Sequence, residues 1–209
     1  MPTAAMPQAQ GHADFTQDHF TLFGLPQRFA LDGAALTQAW RQIQAAVHPD
    51  RFAGAPAAEK RLAMQWSTQV NTAYRTLKDP QLRAAYLCEL RGAAIHAERN
   101  TAMPTAFLMQ QMQWREALDE AREAGDAAAI HDLLQTVEQA RSRVLAQLTV
   151  LLDDASQDEQ ARAALEAAEQ VRVLMFIDRF RQDLGPLAMR AASQAPHPAH
   201  PTHPTHPAA

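Results

Sequence analysis

The chain has 209 residues, 47% of them hydrophobic and 20% charged, with a formal net charge of -4 and a single cysteine, Cys88. That length and apolar content supply a core for one large or, better, two small domains. The acidic balance argues against the clustered basic face that displaces counterions from nucleic acid, and one cysteine excludes an internal disulfide or a cysteine zinc cluster, as fits a reducing compartment. No stretch approaches the roughly 20 apolar residues needed to span a bilayer. The first Lys or Arg is Arg28, so the start is expected to lack the basic region of a secretory signal or the Arg-rich character of a presequence. The sequence therefore reads as cytoplasmic, with residues 1–17 as a disordered extension.

Asp18 is placed to cap a short helix through Phe23, Gly24 suits the left-handed residue that closes it, and Pro26 blocks continuation. Asp32 is the next cap. Leu36, Trp40, Ile43 and Val47 follow at spacings of one helical face, which predicts a helix with Trp40 in its core. Pro49 stops that helix, because its ring has no N–H and pushes His48 out of the α region. An imidazole and a carboxylate, His48 and Asp50, thus flank a fixed φ angle at a polar corner, although a bare Pro-Asp exit is common enough to carry no function alone. After a turn-rich loop over 48–56, Leu62, Trp66, Val70, Ala73, Tyr74 and Leu77 resume the helical period. The two helices then form an antiparallel hairpin with the corner at its turn. Asp79 and Pro80 open a fourth helix to Leu90, with Gly92 just beyond. Its apolar residues point two ways, Leu82 and Tyr86 on one side and Leu87 and Cys88 elsewhere, which predicts a second packing partner and a buried, unreactive thiol.

This ordered set resembles a J-domain, the module that activates Hsp70 chaperones. Phe20, Leu22, Phe23, Gly24, Leu25 and Pro26 match its first helix and exit. Trp40, Ile43, Val47 and His48-Pro49-Asp50 match its second helix and corner, and Asn71, Ala73, Tyr74, Leu77, Asp79, Pro80, Arg83 and Tyr86 match the remainder. The resemblance implies Hsp70 contact through His48, Pro49, Asp50, Arg51 and Arg41. Arg51 stands where Lys is usual, which keeps the charge and changes its geometry. The basic face of the second helix is thin, since Gln38, Gln42 and Gln44 are neutral, so electrostatic steering toward the Hsp70 is expected to be weak.

Residues 18–92 are thus the expected J-domain and 93–103 a short, rather rigid linker. Residues 104–187 are expected to form a three-helix bundle broken near Gly125-Asp126 and Asp153 to Asp158, and 188–209 a disordered His-Pro tail. The fold class is all-α. The bundle's middle helix carries a core stripe of Ile130, Leu134, Val137, Val144, Leu148 and Leu151. On its first helix Phe107, Trp114, Leu118 and Ala121 form the core stripe, which leaves Leu108, Met109 and Met112 on an outer face with Gln113, Glu116 and Glu120. Large flexible side chains edged by carboxylates suit a partner that must be released and, if basic, steered into register.

The run Thr105 to Met109 and Arg115 to Glu120 is similar to the first bundle helix of the HscB family, the J-domain co-chaperones of iron-sulfur cluster assembly, and that likeness spans most of residues 18–187. It implies two protein partners, a specialised Hsp70 of the HscA type and a cluster scaffold of the IscU type. It implies scaffold contact at Leu108, Met109, Met112, Gln113, Glu116, Glu120 and Phe176. Met112 replaces a Leu, conserving volume, whereas Gln113 replaces a Glu and removes a charge.

Other classes fare worse. The chain has no G-x-x-x-x-G-K-[ST] phosphate loop, His48 and Asp50 on an exposed tip lack a catalytic pocket, and no cofactor is expected. His197, His200, His203 and His206 suggest metal binding, but a polyproline II tail separates them by about 9 Å per turn, too far to grip one ion tightly. A J-domain protein serving a different client is the closest rival.

Overall fold

The computed structural model describes residues 17–95 and 103–194, and every regular element among them is helical. In order these are α1 (His19–Phe23), α2 (Gly33–Val47), a short 3-10 turn (Pro49–Phe52), α3 (Ala57–Lys78), α4 (Pro80–Leu90), α5 (Thr105–Ala124), α6 (Ala127–Thr149), a π turn (Val150–Asp154) and α7 (Gln160–Gln194). The fold is all-α, an N-terminal helical hairpin of J-domain type followed by three C-terminal helices. Of the expected extension (1–17), linker (93–103) and disordered His-Pro tail (188–209), residues 1–16, 96–102 and 195–209 lie outside the described residues, whereas 188–194 are helical and not disordered.

Local chemistry sets the helix ends. The Asp18 carboxylate accepts from the Phe20 and Thr21 N–H groups, and Gly24 closes α1 at φ 64°. Asp32 caps α2 by accepting from Ala34 and Ala35, and Asp79 caps α4 by accepting from Leu82 at 2.9 Å. Each satisfies donors that a helix start leaves unpaired.

The chain forms two compact units, one from Met1–Met103 with Ser142–Met175 and the other from Pro104–Arg141 with Phe176–Ala209. In the first, α2 and α3 bury Leu36, Val47, Ala63, Val70, Ala73 and Leu77. Trp40 differs from expectation. It is only half-buried, stacked on Tyr74 at 4.6 Å and donating from Nε1 to Asn71 Oδ1 at 3.0 Å, because an indole N–H left in a closed core would go unpaired. α4 has two packed sides: Ala84, Leu87 and Cys88 are buried, while Tyr86 stacks on His19.

The same unit contains the π turn. There Leu152 is buried and Leu151 only half-buried; in the other unit, within regular α6, Leu133 is buried in preference to Leu134, at the three- and four-residue steps that join Ile130 to Val137. The turn also carries Asp153, which accepts from the Phe29 N–H at 2.6 Å and the Ala30 N–H at 2.7 Å. The Arg83 guanidinium lies over the Phe29 ring at 5.1 Å, and the buried Arg172 donates to the Ile95 carbonyl at 3.5 Å.

The second unit has an aromatic core. Phe107 meets Phe176 and Trp114 edge-on at 5.6 and 6.1 Å, and Trp114 stacks on Phe180 at 5.8 Å. Arg141 and Arg181 flank it, the first donating to Asp178 at 2.6 Å and the second to Glu138 at 3.1 Å. Helix α7 continues through Pro186 to Gln194, past the end expected near Leu187. Pro186 is exposed, and the half-buried Leu187 and Ala188 keep the helix packed beyond it.

Candidate functional site

Two surfaces collect the residues that the sequence singled out, and each lies within one unit. The first is the corner after α2. His48 adopts φ -61° and ψ 129°, the extended conformation that a following proline demands, and Pro49 starts the 3-10 turn. The Asp50 N–H donates to His48 Nδ1 at 3.3 Å, so the neutral imidazole keeps its proton on Nε2. Asp50 Oδ2 stands 3.5 Å from the same nitrogen, and its side chain is 90% exposed. The imidazole therefore braces the turn while the carboxylate faces water.

Arg51 is placed differently from a free cation. Its Nη1 donates to the Ala45 carbonyl at 3.0 Å, tying the guanidinium to the orphan carbonyls at the end of α2 and to the negative end of the helix dipole. Arg41 is exposed on α2, about 10 Å before the corner at 1.5 Å per residue. The corner thus unites His48, Pro49, Asp50 and Arg51, with Arg41 two turns away.

The second surface is the outer side of α5. Phe107, Trp114, Leu118 and Ala121 are buried, as the wheel projection requires. The opposite side shows Leu108, Met109 and Met112 at 44%, 61% and 71% exposure, with Gln113, Glu116 and Glu120 exposed beside them. Met112, Glu116, Asp119, Glu120 and Glu123 line one shallow, mostly acidic hollow, with Arg115 among them. Phe176 is on α7, half-buried; it is fixed by Phe107 and Phe180 and covered by the Arg115 guanidinium at 5.8 Å.

Sequence reading missed the other flank of this surface. A groove between α5 and α7 is lined by Arg115, Arg122 and Arg179 around Phe176, Phe180 and Asp183. The seven-residue spacing of Arg115 and Arg122 marks a stripe on α5, but only the fold brings Arg179 to it. Asp153 was equally hidden, its partners Phe29 and Ala30 lying 124 and 123 residues away.

Neither surface is a closed pocket. Among the described residues no group of three or more His, Cys, Asp or Glu side chains is placed to hold a metal ion, and no helix is long and apolar enough to cross a membrane. Cys88 is buried, which pushes its thiol up to about 11, so it is a thiol at neutral pH. What the two surfaces can do is present charge and apolar area to other proteins.

Comparison with known proteins gives one consistent result. A family model described as the HSCB C-terminal oligomerisation domain matches residues 103–185. A Bordetella pertussis protein named co-chaperone protein HscB homolog is 53% identical over 167 residues, covering 80% of this chain and 94% of that protein. A protein of the same name from Burkholderia multivorans is 52% identical, covering 80% and 91%. Among solved structures, chaperone HscB from Vibrio cholerae matches with a TM-score of 0.68 and 35% identity over 83% of this chain and 99% of that one. Human co-chaperone protein HscB matches with a TM-score of 0.75 and 28% identity over 85% of each chain.

Proposed function

The chain belongs to the HscB co-chaperone family, and from that premise we propose that it joins an iron-sulfur cluster scaffold of the IscU type to a specialised Hsp70 of the HscA type. In this reading the protein works in the cytoplasm and catalyses nothing itself. The outer side of α5 holds the scaffold through Leu108, Met109, Met112, Gln113, Glu116 and Glu120, with Phe176 from α7. The His48–Asp50 corner engages the ATP-bound Hsp70, stimulates hydrolysis and so traps the scaffold on the chaperone. Residues 18–92 are the J-domain and 104–187 the scaffold-binding domain.

The observation that carries the reading is the apolar ridge. Leu108, Met109 and Met112 lie on one side of a helix whose core stripe is already satisfied, and covering the part of these side chains that water still reaches is worth about 1–2 kcal/mol each. At the corner, Asp50 offers a hydrated carboxylate to a partner's guanidinium, Pro49 fixes its presentation, and His48 braces the turn. Arg51 and Arg41 add positive charge nearby.

Steady-state ATPase assays of the organism's specialised Hsp70, with and without the scaffold, test both halves. Stimulation should grow sharply with scaffold and vanish with Asp50→Asn. Replacing Leu108, Met109 and Met112 by Ala should remove scaffold binding and leave the scaffold-independent stimulation in place. Stimulation indifferent to the scaffold would favour the second reading, a J-domain protein for a different client; none at all would defeat both.

A further inference from the structure

We propose that the groove between α5 and α7 is the basic half of the partner surface and takes a carboxylate-bearing segment of the protein held on the α5 ridge, with Arg115, Arg122 and Arg179 reading its charge. This rests on the scaffold-binding reading above and extends it to residues which that reading does not use.

The groove sets three arginines against one carboxylate, Asp183, with Phe176 and Phe180 beside them. None of the three has a carboxylate within 4.0 Å among the described residues, whereas Arg141 and Arg181 of the same unit are paired with Asp178 and Glu138. The fold therefore uses Arg141 and Arg181 in ion pairs and leaves the groove arginines outside any ion pair among the described residues. Arg115 is the best organised of them: its guanidinium lies over the Phe176 ring, which leaves the edge-on N–H donors of a planar fork available to a carboxylate. Gathering like charges in a concave site lowers its affinity for cations and raises it for anions.

The charge changes sign at Leu108. Arg115 borders both hollows: Glu116, Asp119, Glu120 and Glu123 line the one at Met112 together with it, and at about 100° per residue Leu108 projects between these carboxylates and the Arg115–Arg122 stripe. Such an arrangement argues against a polyanion, which the adjoining carboxylates would repel, and against a uniformly basic segment, which the groove would repel. It fits a protein segment with an acidic edge, an apolar centre and a basic edge. Seated in reverse, that segment would meet like charge at both edges, so the polarity of the face fixes the direction in which the partner docks. The apolar ridge supplies adhesion, and the groove supplies register.

The test is calorimetric titration of the full-length protein with the IscU-type scaffold at low and high salt. Replacing Arg115, Arg122 and Arg179 together by Gln should weaken binding about 10-fold at low salt and much less at high salt, where exposed charges are screened. The triple Lys variant should recover most of the loss. The double variant Arg122→Gln/Arg179→Gln keeps Arg115 on Phe176, so weakening there arises without disturbing the ring. Circular dichroism melts should be unchanged, since all three arginines are exposed. If the triple Gln variant binds as well as or better than wild type while Leu108→Ala/Met112→Ala loses binding, the groove inference is overturned and the ridge reading stands. If the double Ala variant also binds normally, the ridge reading itself has failed.

Discussion

Asp153 gives the sharpest structural prediction. Its side chain is 1% exposed, and its two oxygens accept from the Phe29 and Ala30 N–H groups at 2.6 and 2.7 Å. Hydrogen bonds to a charged group contribute about 1.5–3 kcal/mol each. Asp153→Asn can retain the bond to one amide, but it sets an NH2 group against the other, so both the charge and one acceptor are lost. Part of that loss is recovered because Ala30 is exposed and its N–H can turn to water, which leaves an expected destabilisation of about 2–3 kcal/mol. The damage should be local first. Hydrogen exchange at the Phe29 and Ala30 amides should accelerate about 30- to 100-fold, following 1.4 kcal/mol per factor of ten, together with a lower urea midpoint. Arg28→Gln is the control: its guanidinium is 4.0 Å from Asp153 and 55% exposed, so its effect should stay within about 0.5 kcal/mol. Unchanged exchange at residues 29 and 30 in Asp153→Asn would show that the carboxylate does not hold this loop, and the buried clamp would be wrong.

Three further outcomes follow from burial and backbone geometry. Burial lowers His19 below its usual 6.5, against the opposing pull of Asp18, and its ring stacks on Tyr86 at 4.3 Å with Nδ1 unpartnered among the described residues. The unfolded chain therefore takes up a proton that the folded one resists; the stabilisation is full above about 6.5 and is lost as pH falls through the folded value. Melting curves from pH 7 to 5 should drop more steeply for wild type than for His19→Gln, and parallel curves would refute the assignment. With its thiol near 11, Cys88 should resist a disulfide reagent at pH 8 and react at once in denaturant; rapid labelling of the native protein would contradict its burial. Gly125 closes α5 at φ 64° with nothing within 4 Å of an added Cβ, so Gly125→Ala carries only the backbone penalty of about 1 kcal/mol, visible as a small fall in melting temperature.

The residues that could be read from sequence are those whose structural effect is local. Asp18, Gly24, Asp32, Pro49 and Asp79 act within a turn of themselves, and the helix ends they predicted are the ones observed. Periodicity did as well on α5, where a regular helix carries the projection from Phe107 to Ala121 without error. It missed by one residue twice, since Leu133 and Leu152 are buried where Leu134 and Leu151 were expected: a seven-residue repeat was read into a stripe that steps by three and four residues, and nothing in the composition of Val150–Asp154 announces the π turn. Trp40 was placed on the right face but too deep, because its hydrogen-bond partner Asn71 lies on another helix. The last helix was expected to end near Leu187, whereas it runs on to Gln194 through Pro186, an exposed proline that sacrifices one donor while the packing around it continues. The site divides the same way. The corner and the ridge were legible because each is built from one stretch of chain, and the basic groove was not, because Arg179 joins Arg115 and Arg122 only through the packing of α7 on α5.

The exposure of the two surfaces also explains why binding and folding can be separated here. An exposed carboxylate such as Asp50 contributes little to stability in water, since an ion pair there is worth about 0–1 kcal/mol. The same group gains value only when a partner buries it against a guanidinium and withdraws the competing solvent. Leu108, Met109 and Met112 behave alike, for they lie outside the core filled by Phe107, Trp114 and Leu118, yet they remove further apolar area from water once covered. On the proposed function, changes on these surfaces should therefore alter affinity and ATPase stimulation while leaving the melt in place. Truncating Leu118 or Val137, both buried, should do the reverse and destabilise the fold by about 2–5 kcal/mol for the leucine.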